Sequence, residues 1–373
     1  MAEIQVVPVT SSSLLRHFIV LPWVIYRQDP NWVPQLLLDQ KKLLNKKSHP
    51  FFKHSNAQFF LAQKNGEFVG RIAAILNNNH NQQWQEKIGF FGFFEAANDQ
   101  RVAEALFETA KDWCRSQGLT RLRGPMNYST NETCGLLVEG FDTSPVIMMT
   151  HNPPYYAELL EKAGFEKVMD LYAWYMTKEV KINEKLRRVG ERIMKEHGIV
   201  VRSLNPKQLA DEVAIIKRIY TDAWTSNWGF VPMTSAEFDH MAKDLKPILD
   251  PRIAMIAEKQ GEAVGFSLCL PDYNQALKKI NGRLLPFGLI KLLYFARKIR
   301  TMRVLALGVV KSLQSTSGIG AALYLETFKR GLAAGYEAGE FSWTLENNTL
   351  INRAMQMLGA TLYKRYRIYE LSL

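Results

Sequence analysis

The feature that most constrains this chain is an internal repetition. Gly66-Glu67-Phe68-Val69-Gly70 returns as Gly261-Glu262-Ala263-Val264-Gly265, and LLEKAGFEKVMDLYAWYM (159–176) returns as MQMLGATLYKRYRIYEL (355–371). Gly66 with Gly261, and Gly164 with Gly359, share one spacing of 195 residues. Two separate landmarks held at one spacing mark the duplication of a structural unit. The fold is therefore something built twice within 373 residues, and half that length suffices for one hydrophobic core. In each copy the flanks of the Gly-Glu pair predict a β-hairpin turning at that pair. Further on, a helix ends at a glycine and an aromatic-rich strand follows. Charged residues over 177–183 separate that strand from the next helical run, which predicts domains over 1–178 and 179–373.

Between the landmarks the copies diverge. Leu106 and Leu323 hold equivalent places in the central helix yet lie 217 apart, so the second copy carries about 22 more residues before its central strand. They fall in the basic stretch YNQALKKINGRLLPFGLIKLLYFARKIRTMR. The first copy has its surplus after the helix, in RGPMNYSTNETCGLLVEGFDTSPVIMM. Elaborations on a repeated scaffold are where function collects.

Val304–Gly331 reads as a buried strand, a Ser/Thr/Gly loop and a helix opened by Gly318-Ile319-Gly320-Ala321-Ala322. A helix start of this kind leaves backbone N–H groups for an anion, and glycines let a phosphate come close. The segment fits a phosphate cradle or, equally, a packed strand–helix turn. No Lys-Ser/Thr follows the glycines, which excludes a nucleotide P-loop. Gly318-Ile319-Gly320 is followed by Ala-Ala-Leu without a third glycine, and the remainder does not alternate strand and helix, which argues against a dinucleotide fold.

The formal charge of +11 is unevenly placed. No Asp or Glu occurs between Asp272 and Glu326, an interval holding Lys278, Lys279, Arg283, Lys291, Arg297, Lys298, Arg300, Arg303 and Lys311. Such a patch attracts cofactor phosphates, an acidic carrier protein or a membrane surface, unless it is simply a solvated basic helix. Amphipathic packing accounts for the mix of aromatic and basic residues at 292–297, so nucleic acid is not the expected partner. Cys114, Cys134 and Cys269 have neither disulfide nor metal-ligand spacing. The start MAEIQVVPVTSSSLL has no signal-peptide pattern, and no apolar run approaches a membrane span, so a cytoplasmic protein without a metal site is expected.

Each copy runs helix, hairpin, central strand, loop, helix, strand, helix, aromatic strand. This order, with Gly-Ile-Gly after the second central strand, resembles the GCN5-related N-acetyltransferase (GNAT) superfamily, and the whole chain resembles a tandem GNAT protein. The resemblance implies an α+β fold of two GNAT-like domains in tandem, each a mixed, mostly antiparallel sheet flanked by helices. It implies acetyl-CoA or another acyl-CoA as cofactor, with strand backbone against the pantetheine arm and the following Gln/Arg-x-x-Gly-x-Gly/Ala loop on the pyrophosphate. The implied contacts are Val309 and Val310, then Ser315, Thr316, Ser317, Gly318, Ile319, Gly320 and Ala321, and Asn348 ahead of the last helix. Ser315 stands where the family has Gln or Arg, with Gln314 one place earlier, which leaves that contact to backbone N–H groups. Asn348 reads equally as a helix N-cap. The family's Tyr seven residues after that Asn, acid to the leaving thiolate, is Met355 here. Tyr363 on the last strand and Glu346 at a strand end are the groups left for acid and base work, beside Tyr366 and Tyr369.

The first copy departs further from the pattern. Arg101 and Ala103 stand where Gly318 and Gly320 stand in the second, so no CoA is expected there. It offers instead a polar stretch with Asn127, Tyr128, Asn131 and Glu132, and then Tyr155 after His151, as acceptor contacts or an interdomain face. The expected function is an acyl-CoA-dependent N-acyltransferase acting on an amine of a small molecule or peptide. One alternative is a degenerate GNAT-fold protein that binds CoA or an acidic partner without catalysis. The other is an acyl or aminoacyl transferase using a carrier other than free CoA, with 274–303 docking an acidic carrier or a membrane surface.

Overall fold

The computed structural model describes residues 3–182, 184–314 and 318–373. The chain forms two compact units. The first comprises Met1–Leu171, Ala276–Leu293 and Lys364–Leu373, and the second Tyr172–Gln275 and Tyr294–Tyr363. Part of the basic insertion and the end of the chain thus belong with the first unit.

The described strands in chain order are β1 (Ile4–Pro8), β2 (Asn56–Lys64), β3 (Glu67–Leu76), β4 (Ile88–Ala96), β5 (Arg121–Gly124), β6 (Leu136–Glu139), β7 (Glu166–Thr177), β8 (Ile199–Ser203), β9 (Met255–Lys259), β10 (Glu262–Pro271), β11 (Thr301–Val309), β12 (Ala338–Leu345) and β13 (Thr361–Ser372). In the first unit β1, β2, β3 and β4 are antiparallel neighbours and β4 runs parallel to β5. The part of β13 in this unit pairs antiparallel with β5, Tyr369 opposite Gly124, and with β6, Arg367 opposite Leu136. In the second unit β8, β9, β10 and β11 are antiparallel and β11 runs parallel to β12. Each unit is therefore a mixed, mostly antiparallel sheet in which the described registers include one parallel pair, β4 with β5 and β11 with β12, the α+β architecture that the resemblance implies.

The duplication extends to pairing register. Gly70 faces Ala96 across β3 and β4, and its repeat partner Gly265 faces Val309 across β10 and β11. The hairpin turns lie one residue earlier than the Gly-Glu pairs. Their loops are Asn65-Gly66 (φ 53 and 84) and Gln260-Gly261 (φ 52 and 82), while Glu67 and Glu262 already open the returning strands. Two left-handed residues in succession match the right-handed twist of the flanking strands, which a turn of ordinary handedness would splay.

One helix per unit packs along the central strand. In the first, Gln100–Ser116 presents Val102, Ala103, Leu106, Phe107, Ala110 and Cys114 at helical spacing to Ile72, Phe91 and Phe94. Phe107 stacks on Phe94 at 4.7 Å between ring centres, and burying such a side chain is worth about 1.5–3 kcal/mol. In the second, Ile319–Ala333 places Ile319, Leu323 and Phe328 against Met302, Val304 and Phe341. Met355, which stands at the family's Tyr position, is fully buried in this core.

Candidate functional site

In the second unit the two central parallel strands part. Their ladder stops at Val304 opposite Phe341, although β11 continues to Val309 and β12 to Leu345. At the same place the register with β10 slips between Leu268 and Cys269, leaving Leu305 as an extra residue on β11. A bulge of this kind bends the strand and ends regular pairing. Leu305 and Ala306, just past the fork, are partly exposed. Among the described residues no strand pairs with the β12-facing edge of 305–309.

The strand end leads toward the glycine loop. Val309 is buried, and its carbonyl accepts from Gln314 Nε2 at 2.9 Å; Val310 N–H donates to the Val264 carbonyl at 2.8 Å. Gln314 also donates to the Ala223 carbonyl at 3.2 Å, so its amide braces the loop. Ser315, Thr316 and Ser317 lie outside the described residues. Gly318 takes the N-cap position of the Ile319–Ala333 helix at φ 64, a left-handed conformation that disfavours a side chain. This helix begins with no side-chain cap from Gly318 and no acidic residue in its first turn, so the positive end of its dipole is not offset by a carboxylate there. Ile319 is buried in the core, and Gly320 has open space where a Cβ would stand.

Near the other arm of the fork, Glu346 follows β12 and its backbone carbonyl accepts from Asn352 Nδ2 at 3.2 Å. Asn348 is the N-cap of the Thr349–Met357 helix, accepting from Ile351 N–H at 3.3 Å. Asn352, not singled out from sequence, is buried; it accepts from Thr344 Oγ1 at 2.7 Å and donates to the Leu345 carbonyl at 2.9 Å, which pins the end of β12. Tyr363 is partly buried and donates to the carboxylate of Glu340, itself fully buried. Arg303 lies opposite Glu340 in the ladder, with Nε donating to Ser342 Oγ at 3.0 Å. Tyr175 packs 5.1 Å from Tyr363 between ring centres, and burial raises its hydroxyl pKa. The sequence signal for this cluster is the polar alternation Glu340, Ser342, Thr344 in an otherwise apolar strand.

In the first unit the matching fork is filled. The β4–β5 ladder stops at Phe90 opposite Arg123, and the slip between Arg71 and Ala73 leaves an extra residue on β4 beside Phe93, whose φ is 50. Here Met126 N–H donates to the Phe91 carbonyl at 2.8 Å, and Phe93 N–H donates to Asn127 Oδ1 at 2.8 Å. Asn127 is held in turn by Thr133 Oγ1 at 2.7 Å. Glycine at 92 permits this approach, since a Cβ there would stand 2.0 Å from the Met126 carbonyl oxygen. At the strand end Ala96 N–H donates to the Tyr156 hydroxyl at 2.9 Å, and Tyr155 donates to the Ala96 carbonyl at 2.8 Å. Every residue of β4 is buried. The Gln100–Ser116 helix begins on Asp99, whose carboxylate accepts from Arg101 N–H at 3.1 Å and pairs with Lys64 at 2.6 Å. The Lys64 hydrogen bond holds the Asp99 carboxyl below the usual carboxylate range.

The other polar residues of this unit singled out from the sequence also make contacts within it. Tyr128 is buried, stacks on Phe51 at 4.6 Å and donates to the Leu43 carbonyl at 2.9 Å. Asn131 N–H donates to Ser129 Oγ at 3.1 Å, and Glu132 N–H to the Ser129 carbonyl at 3.2 Å. His151 Nε2 lies 2.7 Å from Asp29 Oδ2, and burial lowers the His151 pKa. Glu95 accepts from Tyr26 at 2.7 Å and Tyr156 at 2.8 Å, with Arg71 at 3.4 Å. Burial pushes the Glu95 carboxyl up while Arg71 and the hydroxyls oppose it.

The sequence model of the acetyltransferase (GNAT) family matches residues 25–126. The chain is 38% identical over 379 residues to the bacterial ceramide synthase of Caulobacter vibrioides, covering 100% of this chain and 98% of that one. It is 37% identical over 363 residues to Protein YghO of Escherichia coli, covering 95% and 92%. In fold it is similar to a tandem GNAT protein from the clavulanic acid biosynthesis pathway, with a TM-score of 0.58 at 10% identity over 99% of this chain and 98% of that one. The chain belongs to the GNAT family and has the tandem GNAT architecture; it is an N-acyltransferase. The family match falls on the copy whose fork is filled.

Proposed function

We propose that the second unit binds acyl-CoA in its open fork and transfers the acyl group to the amine of a long-chain amino alcohol, the reaction that defines a ceramide synthase. The observation that carries the donor site is the parting of β11 and β12 beside a helix start with neither a side-chain cap nor a first-turn acid. Full-length similarity to a bacterial ceramide synthase supports the acceptor class. Residues 1–178 and 179–373 are read as the duplicated copies.

In this reading the backbone of Val309 and Val310 borders the pantetheine arm. The helix start at Gly318, Gly320 and Ala321 faces the phosphates, with Asn348 on the opposite rim. Strand backbone polarises the thioester carbonyl. The acceptor nitrogen forms the C–N bond as the C–S bond breaks. Glu346 takes one ammonium proton before attack; Tyr363, held by Glu340, gives its proton to the departing sulfur and regains one from the second proton that the nitrogen releases as the amide forms. The products are an amide and the free thiol.

The test is amide formation from long-chain acyl-CoA and a sphingoid-type amine, followed by mass spectrometry, with short amines as competitors. We expect turnover with the long-chain amine, and losses of about 10²-fold in kcat for Glu346→Gln and about tenfold for Tyr363→Phe. Acylation of short polar amines alone would overturn the acceptor class. Unchanged kcat in both variants would overturn the proton assignments.

A further inference from the structure

One surface is unlike the rest of the molecule. In the part of the first unit contributed by Ala276–Leu293, five large apolar side chains stand in solvent: Leu285 at 83% exposure, Phe287 and Ile290 at 67%, Leu293 at 59% and Leu289 at 49%. They sit on and just before the helix Gly288–Ala296. The segment is firmly built from beneath. Leu284 and Leu292 pack on the cluster of Val33, Leu277 and Ile280. Trp23 Nε1 donates to Asn281 Oδ1 at 2.9 Å, and Leu37 N–H to the Gly282 carbonyl at 3.0 Å.

The apolar tip is bordered by Lys279, Arg283 and Lys291, all exposed and none paired with a carboxylate among the described residues. The surrounding chain, 273–325, contains no acidic residue at all. A protruding apolar tip has no surface of its own to bury against, and three exposed, unneutralised cations within a few residues of it along the chain seek negative charge. Among the described residues no helix is long and apolar enough to cross a membrane. A nine-residue helix rises only about 14 Å, less than half of a bilayer's hydrocarbon thickness.

We propose that Leu285–Leu293 is a membrane-docking element. Leu285, Phe287, Ile290 and Leu293 enter the interface of an anionic bilayer, and Lys279, Arg283 and Lys291 contact its lipid headgroups. Charge complementarity commits the occupant to anionic lipid. The convex tip enters a fluid surface, whereas a protein partner would have to supply a matching pocket. This goes beyond the acyl-transfer reading and does not depend on it, because binding to a bilayer is read without turnover.

The test is flotation of the full chain with vesicles of phosphatidylglycerol in phosphatidylcholine, against phosphatidylcholine alone. We expect binding to the anionic vesicles, at least about tenfold weaker to the neutral ones, and weaker again in high salt. Phe287→Glu with Ile290→Glu should lower anionic-vesicle binding by about tenfold or more, with an unchanged melting temperature because both side chains lie in solvent. Lys279→Glu with Lys291→Glu should lower it several-fold and flatten its salt dependence. Undiminished binding by the apolar double variant overturns the proposal. So does failure of the native chain to bind any vesicle, including the case where an acidic carrier protein binds through these same residues. Vesicle binding that fails while soluble acyl transfer persists leaves the reaction standing, and the converse leaves the docking element standing.

Discussion

Phe93 donates its N–H to the amide oxygen of Asn127, and the helix beyond it begins on the carboxylate of Asp99. At the matching places of the second unit no strand among the described residues pairs with the edge past Val304, and the helix begins on Gly318. The scaffolds are alike, since both have a parallel pair that forks, a bulge at the fork and a helix packed on the central strand. The difference lies in what meets the hydrogen-bonding groups that a fork leaves exposed. Buried backbone groups need partners. In the first unit a side-chain amide meets the Phe93 N–H and a carboxylate caps the helix, the places that the proposed reading gives to a thioester carbonyl and a phosphate in the second. A duplicated site can thus become structural without refolding, provided the chain supplies groups of the same chemistry as the ligand.

The largest expected effect comes from filling the open fork. Gly320→Glu puts bulk and negative charge at an N-terminus that has room for it, so the free protein should melt where it did or slightly higher. Acyl-CoA at a hundredfold excess over its Kd should stabilise the native chain by about 2.7 kcal/mol, and the variant should lose that shift together with at least about 10²-fold in kcat/KM. A surviving shift in thermal scans would place the donor elsewhere and end the contrast between the units.

The next effect is a pH dependence confined to the first unit. His80 is buried, packed on Phe90 with Nε2 3.1 Å from Glu86, and burial lowers its pKa from 6.5 to about 4. The unfolded chain therefore takes up the extra proton first. The stability is present above pH 6.5 and is lost as pH falls toward 4, by about 3 kcal/mol in total. Denaturant titrations across that window should show the slope, and His80→Gln should flatten it without changing acyl-CoA binding at neutral pH.

Asn127→Ala should cost about 2 kcal/mol by stranding the Phe93 N–H in a closed fork. If acyl-CoA then binds with a stoichiometry above the native value in calorimetry, the plug alone keeps the first site shut. Asp99→Ala should cost about 1 kcal/mol through the lost cap and leave donor affinity unchanged. A fall in donor affinity would mean that both helix starts serve the ligand.

Local pattern was enough for a good deal. The shared spacing of 195 residues announced two copies, and the glycine-ended helices and aromatic strands placed their last elements. These features arise from contacts a few residues apart, where side-chain period and backbone preference act directly. The same pattern marked Gly318 and Gly320 as a glycine-opened helix start, because a left-handed N-cap and room beside a helix terminus are properties of the residues themselves. The turn at Asn65-Gly66 was missed by one position because strand twist, not composition alone, selects its conformation.

Tertiary structure decided the rest. That Asn127 closes the first fork follows from a bond to a residue 34 positions away, and that Tyr363 meets Glu340 from one 23 positions away. That Lys364–Leu373 belongs with the first unit follows from pairings such as Tyr369 with Gly124. No local preference encodes such meetings, which depend on how strands register once the sheet has formed. From sequence alone, then, came a chain built twice with one glycine-opened helix start. Only the packed sheet settled which fork stays open and which is filled by the chain's own amide and carboxylate, because a hydrogen-bond vacancy exists only after the strands that leave it have paired.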